Sequence, residues 1–336
     1  IPPAYRTTLS KALKLRKEDR FQSALELREK LIQDTSKSEA KQPEPSAPVD
    51  RTPPENTPSV EDQVSDLMDS AKAHYSNGEY QKAIDDYTKA IELKPDYADA
   101  YYNRGKSYRK HGEHNNAIDD YTTAIELNPE DALAYNNRGI SYRTLAEHQK
   151  AFDDYNKAIE LDPKFVSAYL NRGNANKTLG EHQKAVIDYS KAIKVNPGFA
   201  YAYFVRGKTY NSLGKCQKAV KDFTKAIELD PVYAFAYNNR GYAYHDLGEY
   251  QKAIDDCTKG IELNPVDANA YNKRGVTYEA LGEYQKAIDD YTKAIELNPE
   301  DAGPYLNRGV AYKALGEHEL AEKDRQKYQE LTASSE

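Results

Sequence analysis

Seven arginines recur every 34 residues, at 104, 138, 172, 206, 240, 274 and 308, and eight aspartates keep the same interval from Asp86 to Asp324. A row of guanidinium groups can hold phosphates, because the planar fork of arginine matches oxyanions with two donors at a time. A carboxylate that repeats as faithfully as the guanidinium favours another reading: a ladder of Arg–Asp pairs between helices that ties repeat to repeat. His114, His148, His182 and His318 also share one position of the period, which invites a metal site. Tyr80, Tyr250 and Tyr284 fill that same position, however, and stacked helices stand about 8–10 Å apart. Imidazoles so placed cannot share a zinc that each must approach to about 2 Å. Gly105-Lys106-Ser107 and Gly207-Lys208-Thr209 imitate the end of a phosphate loop, but Ala100 and Ala202 stand where its first glycine belongs. Paired aspartates such as Asp119-Asp120 and Asp289-Asp290 are no catalytic dyads, since sequence neighbours point to different sides of a helix. No catalytic residue, metal site or cofactor follows from these residues, and the chain does not read as an enzyme.

What positions these side chains is a repeat. Eight frames open at residues 64, 98, 132, 166, 200, 234, 268 and 302, with no insertion between them. A fixed period of this size is the mark of one small unit stacked on copies of itself. Within the seventh frame, Tyr271, Gly275 and Tyr278 fall on one face of a helix. Ala287, Ile288, Tyr291, Ala294 and Ile295 form a second apolar stripe at helical spacing. Gly282 suits a left-handed C-cap between the two helices, and Asn298-Pro299 ends the second. Each frame is therefore a helical hairpin with apolar surface on both sides, which needs neighbours to bury it.

Across the frames, Tyr recurs at place 4 and Gly at place 8, mostly Tyr at place 11, Ala at place 20, mostly Tyr or Phe at place 24, mostly Ala at place 27, and Pro at place 32 in seven frames. This pattern resembles the tetratricopeptide repeat. The resemblance implies an all-α fold: a right-handed α-α superhelix, a solenoid of eight 34-residue helix-turn-helix repeats. It also implies a protein-protein interaction scaffold that binds a protein or peptide ligand in a concave groove lined by the first helices. Places 2, 5, 6, 9, 12 and 13 would face that groove. Frames two and three then contribute Tyr102, Asn103, Lys106, Arg109, Asn136, Asn137, Ile140 and Arg143. Frames four and five contribute Leu170, Asn171, Asn174, Tyr201, Phe204 and Lys208; Phe235, Asn238, Asn239, Tyr242 and Lys273 follow. Asparagine donates and accepts together, so a ladder of them can hold a peptide backbone, with exposed aromatics as anchors. The carboxylate clamp of the chaperone-binding members needs Lys at places 5 and 2; no frame has it there, which argues against a chaperone-tail receptor.

The net charge of −7 argues against a general nucleic-acid binder, which would present a clustered positive field. Most of the 29 tyrosines are repeat residues, and so core fillers first. Cys216 and Cys257, at different repeat places, read as packing residues in a reducing, cytoplasmic compartment. No run of 18 apolar residues is present, so no membrane span is expected.

Residues 1–34 read differently. Tyr5, Leu9, Ala12 and Leu13 form one amphipathic pattern, and Ser23-Ala24-Leu25-Glu26 is a capping box that opens another. With Arg20 before Phe21-Gln22-Ser23-Ala24, the segment resembles the last two helices of a bacterial Hanks-type Ser/Thr protein kinase domain. The resemblance implies a kinase C-lobe remnant and a role in bacterial signalling, recruiting a substrate or regulator; the opening on Ile1 fits a piece cut from a longer parent. None of the kinase catalytic motifs is in this chain. The other expectation is a free-standing cytoplasmic adaptor unrelated to a kinase. Residues 35–63, with six prolines and hardly any apolar side chain, read as a Pro-rich disordered linker before the repeat domain at 64–332.

Overall fold

A computed structural model of the chain describes residues 58–333. The expected kinase-like segment at 1–34 and most of the expected linker lie outside the described residues. Sixteen helices and no strand occur among those that are described. They form eight antiparallel pairs: α1 (Val60–Ser76) with α2 (Tyr80–Leu93), α3 (Ala98–His111) with α4 (His114–Leu127), and α5 (Ala132–Thr144) with α6 (His148–Leu161). Next come α7 (Val166–Thr178) with α8 (His182–Val195), α9 (Ala200–Ser212) with α10 (Cys216–Leu229), and α11 (Ala234–Asp246) with α12 (Tyr250–Leu263). The last pairs are α13 (Ala268–Ala280) with α14 (Tyr284–Leu297), and α15 (Ala302–Ala314) with α16 (His318–Ala333). Each second helix also packs on the first helix of the next pair. Successive first helices touch as well, α5 with α7 and α11 with α13 for example, whereas successive second helices make no comparable contact. The first helices therefore line the inner side of the stack.

In five of the repeats the core is a ring pressed on a glycine. Tyr121, Tyr155, Tyr189, Phe223 and Tyr291, at place 24, are fully buried. A Cβ on Gly173 would lie 2.6 Å from Tyr189, and one on Gly207 2.8 Å from Phe223, so only glycine at place 8 lets the two helices close on the ring. The turn between them takes a left-handed residue. Gly282 has φ +75°, as expected for the cap, but Ala146 occupies the same place in the third repeat at φ 59°.

Two expectations change. The first helix opens at Val60, not Val64, because Ser59 and Asp62 form a capping box: Ser59 Oγ accepts from the Asp62 N–H at 3.1 Å, and the Asp62 carboxylate accepts from the Ser59 N–H at 3.1 Å. The expected linker thus ends before its last residues. The Arg–Asp pairs form inside a repeat, not between repeats. Arg138 holds Asp154 of its own repeat with two bonds, Nε at 2.9 Å and Nη2 at 2.7 Å. Its Nη1 reaches back to Thr122 Oγ1 of the preceding repeat at 3.1 Å, and this third arm is what joins the repeats. The same three-armed contact recurs at Arg104, Arg206, Arg240, Arg274 and Arg308, and at Arg172 with Asn156 as the acceptor. Hydrogen bonds to Asp290 and Asp324 push the guanidinium groups of Arg274 and Arg308 above their ordinary range. In the first repeat Ser70 replaces the arginine, bonding Asp86 at 2.7 Å. At the other end, α16 buries only Asp324, which leaves a polar outer face.

Candidate functional site

The inner side carries a cleft of about 450 Å³ across α5, α7 and the start of α9. Asn136 and Leu170, both buried, form its floor, with Ile140 and Leu133 on one wall. Asn137, Asn171 and Asn174 edge it, and Phe165, Phe199 and Tyr201 close the far wall. Asn137 Nδ2 donates to Tyr102 Oη of the preceding repeat at 2.9 Å, and Asn171 Nδ2 donates to Asn136 Oδ1 at 2.9 Å. The amide N–H groups thus serve the fold, while the Oδ1 atoms of Asn137 and Asn171 have no partner among the described residues. Asn174 is arranged the other way round, its Oδ1 accepting from Tyr189 Oη at 2.8 Å. Apolar walls with free carbonyl acceptors along one edge suit an extended peptide, whose side chains need pockets and whose N–H groups need acceptors.

Leu133, Phe165, Ser167 and Phe199 are cleft residues absent from the sequence-based set. The two phenylalanines had a signal. They precede their helices at a place where Asp131, Asp267 and Asp301 stand in other repeats and cap the following helix, Asp131 Oδ1 accepting from Leu133 N at 2.8 Å. Phe165 and Phe199 provide no side-chain cap. Forgoing one costs about 1 kcal/mol, so an aromatic there has another use: core packing at Tyr97 and Tyr233, which also stand there uncapped, and the cleft wall at Phe165 and Phe199.

The remaining groove residues do not join this cleft. Lys106 lies over the Tyr75 ring at 5.0 Å and over Tyr102 at 5.7 Å. Arg109 and Arg143 bury their Nε atoms beside the phenols of Tyr121 and Tyr155, whose burial pushes both phenols up. Asn103 donates back to its own helix at Asp99 O, as Asn239 does to Phe235 O. Phe204 is buried between Tyr233 at 4.9 Å and Phe223 at 6.0 Å, with Lys208 over its ring. Tyr242 stacks on His245, and Lys273 reaches over it towards Asn239 Oδ1 at 3.3 Å. Asn238 needs correction as a groove contact. It is 1% exposed, folded into space that Gly260 opens where six other repeats carry alanine, and a Cβ on Gly260 would lie 1.7 Å from its Oδ1. Its Nδ2 donates to Asp267 at 3.0 Å.

Both cysteines are buried free thiols, and burial pushes Cys257 up to about 12. No group of metal-ligating side chains and no helix fit to cross a membrane occurs among the described residues.

The tetratricopeptide repeat profile matches residues 98–131, 132–165, 166–199, 234–267 and 268–301, more than half of the chain. The chain belongs to the tetratricopeptide repeat family. Related TPR profiles match 71–112, 207–248 and 290–323. Among solved structures, the chain is 34% identical to MamA, over 48% of this chain and 95% of that one, with a TM-score of 0.44. It is 27% identical to YrrB, described as a TPR protein with an unusual peptide-binding site, over 55% and 95%, TM-score 0.47. It shares 21% identity with a chain of the APC/C hetero-tetramer Cut9–Hcn1, over 80% of this chain and 52% of that one, TM-score 0.57, which supports the fold. A search among curated proteins finds no match.

Proposed function

We propose that this TPR protein is a non-catalytic scaffold that binds an extended peptide segment of a partner in the cleft across α5, α7 and α9. The observation that carries this reading is the pairing of apolar walls with the free Oδ1 atoms of Asn137 and Asn171. We infer from the resemblance of residues 1–34 that the scaffold serves a bacterial Ser/Thr kinase in the cytoplasm, bringing it a substrate or regulator. Reading the parent frame upstream of Ile1 for a His-Arg-Asp catalytic loop tests that part by itself.

The binding site is tested by selecting peptides from a random displayed library on the full chain. The selected peptides are then titrated against variants. Asn171→Ala and Phe199→Ala are expected to weaken binding about tenfold each, the usual size for a lost anchor or buried hydrogen bond. Asn103→Ala, bonded only within its own helix, should leave affinity unchanged. Selected peptides that bind all three variants equally would place the site elsewhere.

A further inference from the structure

The opposite side of the solenoid holds a second cleft, of about 480 Å³, between α6 and α8 over α7. It arises from one departure in the repeat. In six repeats a tyrosine stands at place 11, its ring 5.8–5.9 Å from the arginine at place 7. In four of these a lysine at place 19 also lies over the same ring, as Lys150 does over Tyr142 at 5.2 Å and Lys286 over Tyr278 at 5.3 Å. The fourth repeat keeps both cations, Arg172 and Lys184, but has Asn176 in place of the tyrosine. Asn176 is buried and tied down, its Nδ2 donating to Asp188 Oδ2 at 3.1 Å, and the space a ring fills elsewhere is open.

The walls have changed with it. Ile187 replaces the aspartate found at its place in five other repeats and stands 57% exposed, opposite Phe152. Asp188 is committed to Arg172, and Lys184 pairs with Glu181 at 3.4 Å. The flank on the α8 side is basic within an acidic chain: α8 carries Lys184, Lys191 and Lys194 against Asp188, and α10 beyond it carries Lys218, Lys221 and Lys225 against Asp222 and Glu228, whereas α6 across the cleft carries Asp153, Asp154 and Glu160 against Lys150 and Lys157. An aromatic ring between two cations is the environment this fold builds for its own tyrosines, and here the same place gains apolar flanks from Ile187 and Phe152.

We propose that this cleft is a second docking site, which receives a tyrosine side chain from an acidic segment of a partner protein. The incoming ring takes the place that the missing repeat tyrosine leaves between Arg172 and Lys184. Its acidic neighbours meet Lys191 and the lysines of α10. The site lies on the face away from the groove and does not depend on the groove reading.

The test uses the full chain and a fluorescein-labelled peptide with one tyrosine between paired glutamates, titrated by polarisation at low salt. The same peptide with alanine for tyrosine is the control. Asn176→Tyr restores the residue that six other repeats carry and fills the cleft without disturbing the Arg172–Asp188 pair. It is expected to lower affinity at least about tenfold, and Ile187→Asp, which restores the usual charge, should do the same. Equal binding of the alanine peptide, or unchanged binding to both variants, would overturn the proposal. If either variant failed to fold, circular dichroism would show it and the other variant would decide. Self-association of the unmodified chain that Asn176→Tyr abolishes would make the occupant a second copy, also against the proposal.

Discussion

Arg138 donates from Nη1 to the hydroxyl of Thr122, 3.1 Å away across the boundary between the second and third repeats. The same guanidinium holds Asp154, which is buried, with its other two donors. The two halves of this contact should therefore cost very different amounts when broken. Thr122→Val removes one acceptor and is expected to destabilise by about 1 kcal/mol. Arg138→Ala leaves a buried carboxylate unpaired and should cost roughly 3–5 kcal/mol. The double variant should cost little more than Arg138→Ala alone, because the arginine is the shared partner. Urea denaturation of the four proteins measures all three values. Additive costs would show that the Nη1 contact contributes nothing.

Gly207 and Phe223 make the second prediction. A helix interior ordinarily gains about 1 kcal/mol from glycine to alanine. At Gly207 the new methyl would meet the Phe223 ring at 2.8 Å, and that ring is fully buried and cannot swing away. Gly207→Ala is therefore expected to destabilise by a net 1–2 kcal/mol, roughly. Gly309, the equivalent residue of the last repeat, faces no such ring; its nearest neighbour would be Ala321 O at 3.3 Å. Gly309→Ala should be close to neutral. Thermal melts of both variants give the comparison, and equal effects would contradict the ring-on-glycine account.

These residues also show how far the sequence could be read. Glycine at place 8 and an aromatic at place 24 recur so regularly that hairpins, core and stacking were all legible. The partner of each arginine was not. Asp86 lies 18 residues before Arg104 and Asp120 lies 16 after it, so a strict period fits a bond within a repeat as well as one between repeats. Only the side-chain direction, seen at 2.8 Å to Asp120, decides between them. The groove was legible as a face but not in depth. Asn238 sits below the surface because of Gly260, 22 positions away on the facing helix, and a pattern read along the first helices does not contain that information.

Ala146 gives a prediction of the opposite sign. Seven glycines occupy the left-handed turn position with φ between 67° and 92°, and Ala146 alone adopts it with a side chain, at φ 59°. The strain of an L-residue there is about 1–2 kcal/mol, partly offset in any replacement by the extra freedom of glycine when unfolded. Ala146→Gly should stabilise the protein by roughly 0.5–1 kcal/mol, visible as a higher melting temperature. An unchanged or lower value would mean that Ala146 is relaxed in this turn.

Lys273 is the one lysine that reaches deep into the groove face between Asn239 and Tyr242. Burial lowers its ammonium below the ordinary value of 10.5. The sign of the consequence follows from proton counting. Below the lowered value both the folded and the unfolded chain hold the proton, and the fold bears the cost of a desolvated charge. As the pH rises through the lowered value, the folded chain releases its proton while the unfolded chain still holds one. Stability therefore climbs with pH, and the climb ends once the pH passes 10.5. Lys273→Met keeps the stem and removes the charge, so it should stabilise the protein at neutral pH by roughly 1 kcal/mol, the scale of an incompletely compensated buried polar group. The advantage should shrink as the pH approaches 10.5. Denaturation of both proteins at pH values between neutral and that limit checks it. A methionine variant less stable at neutral pH, or an advantage that did not change with pH, would show that Asn239 and Tyr242 fully compensate the buried charge.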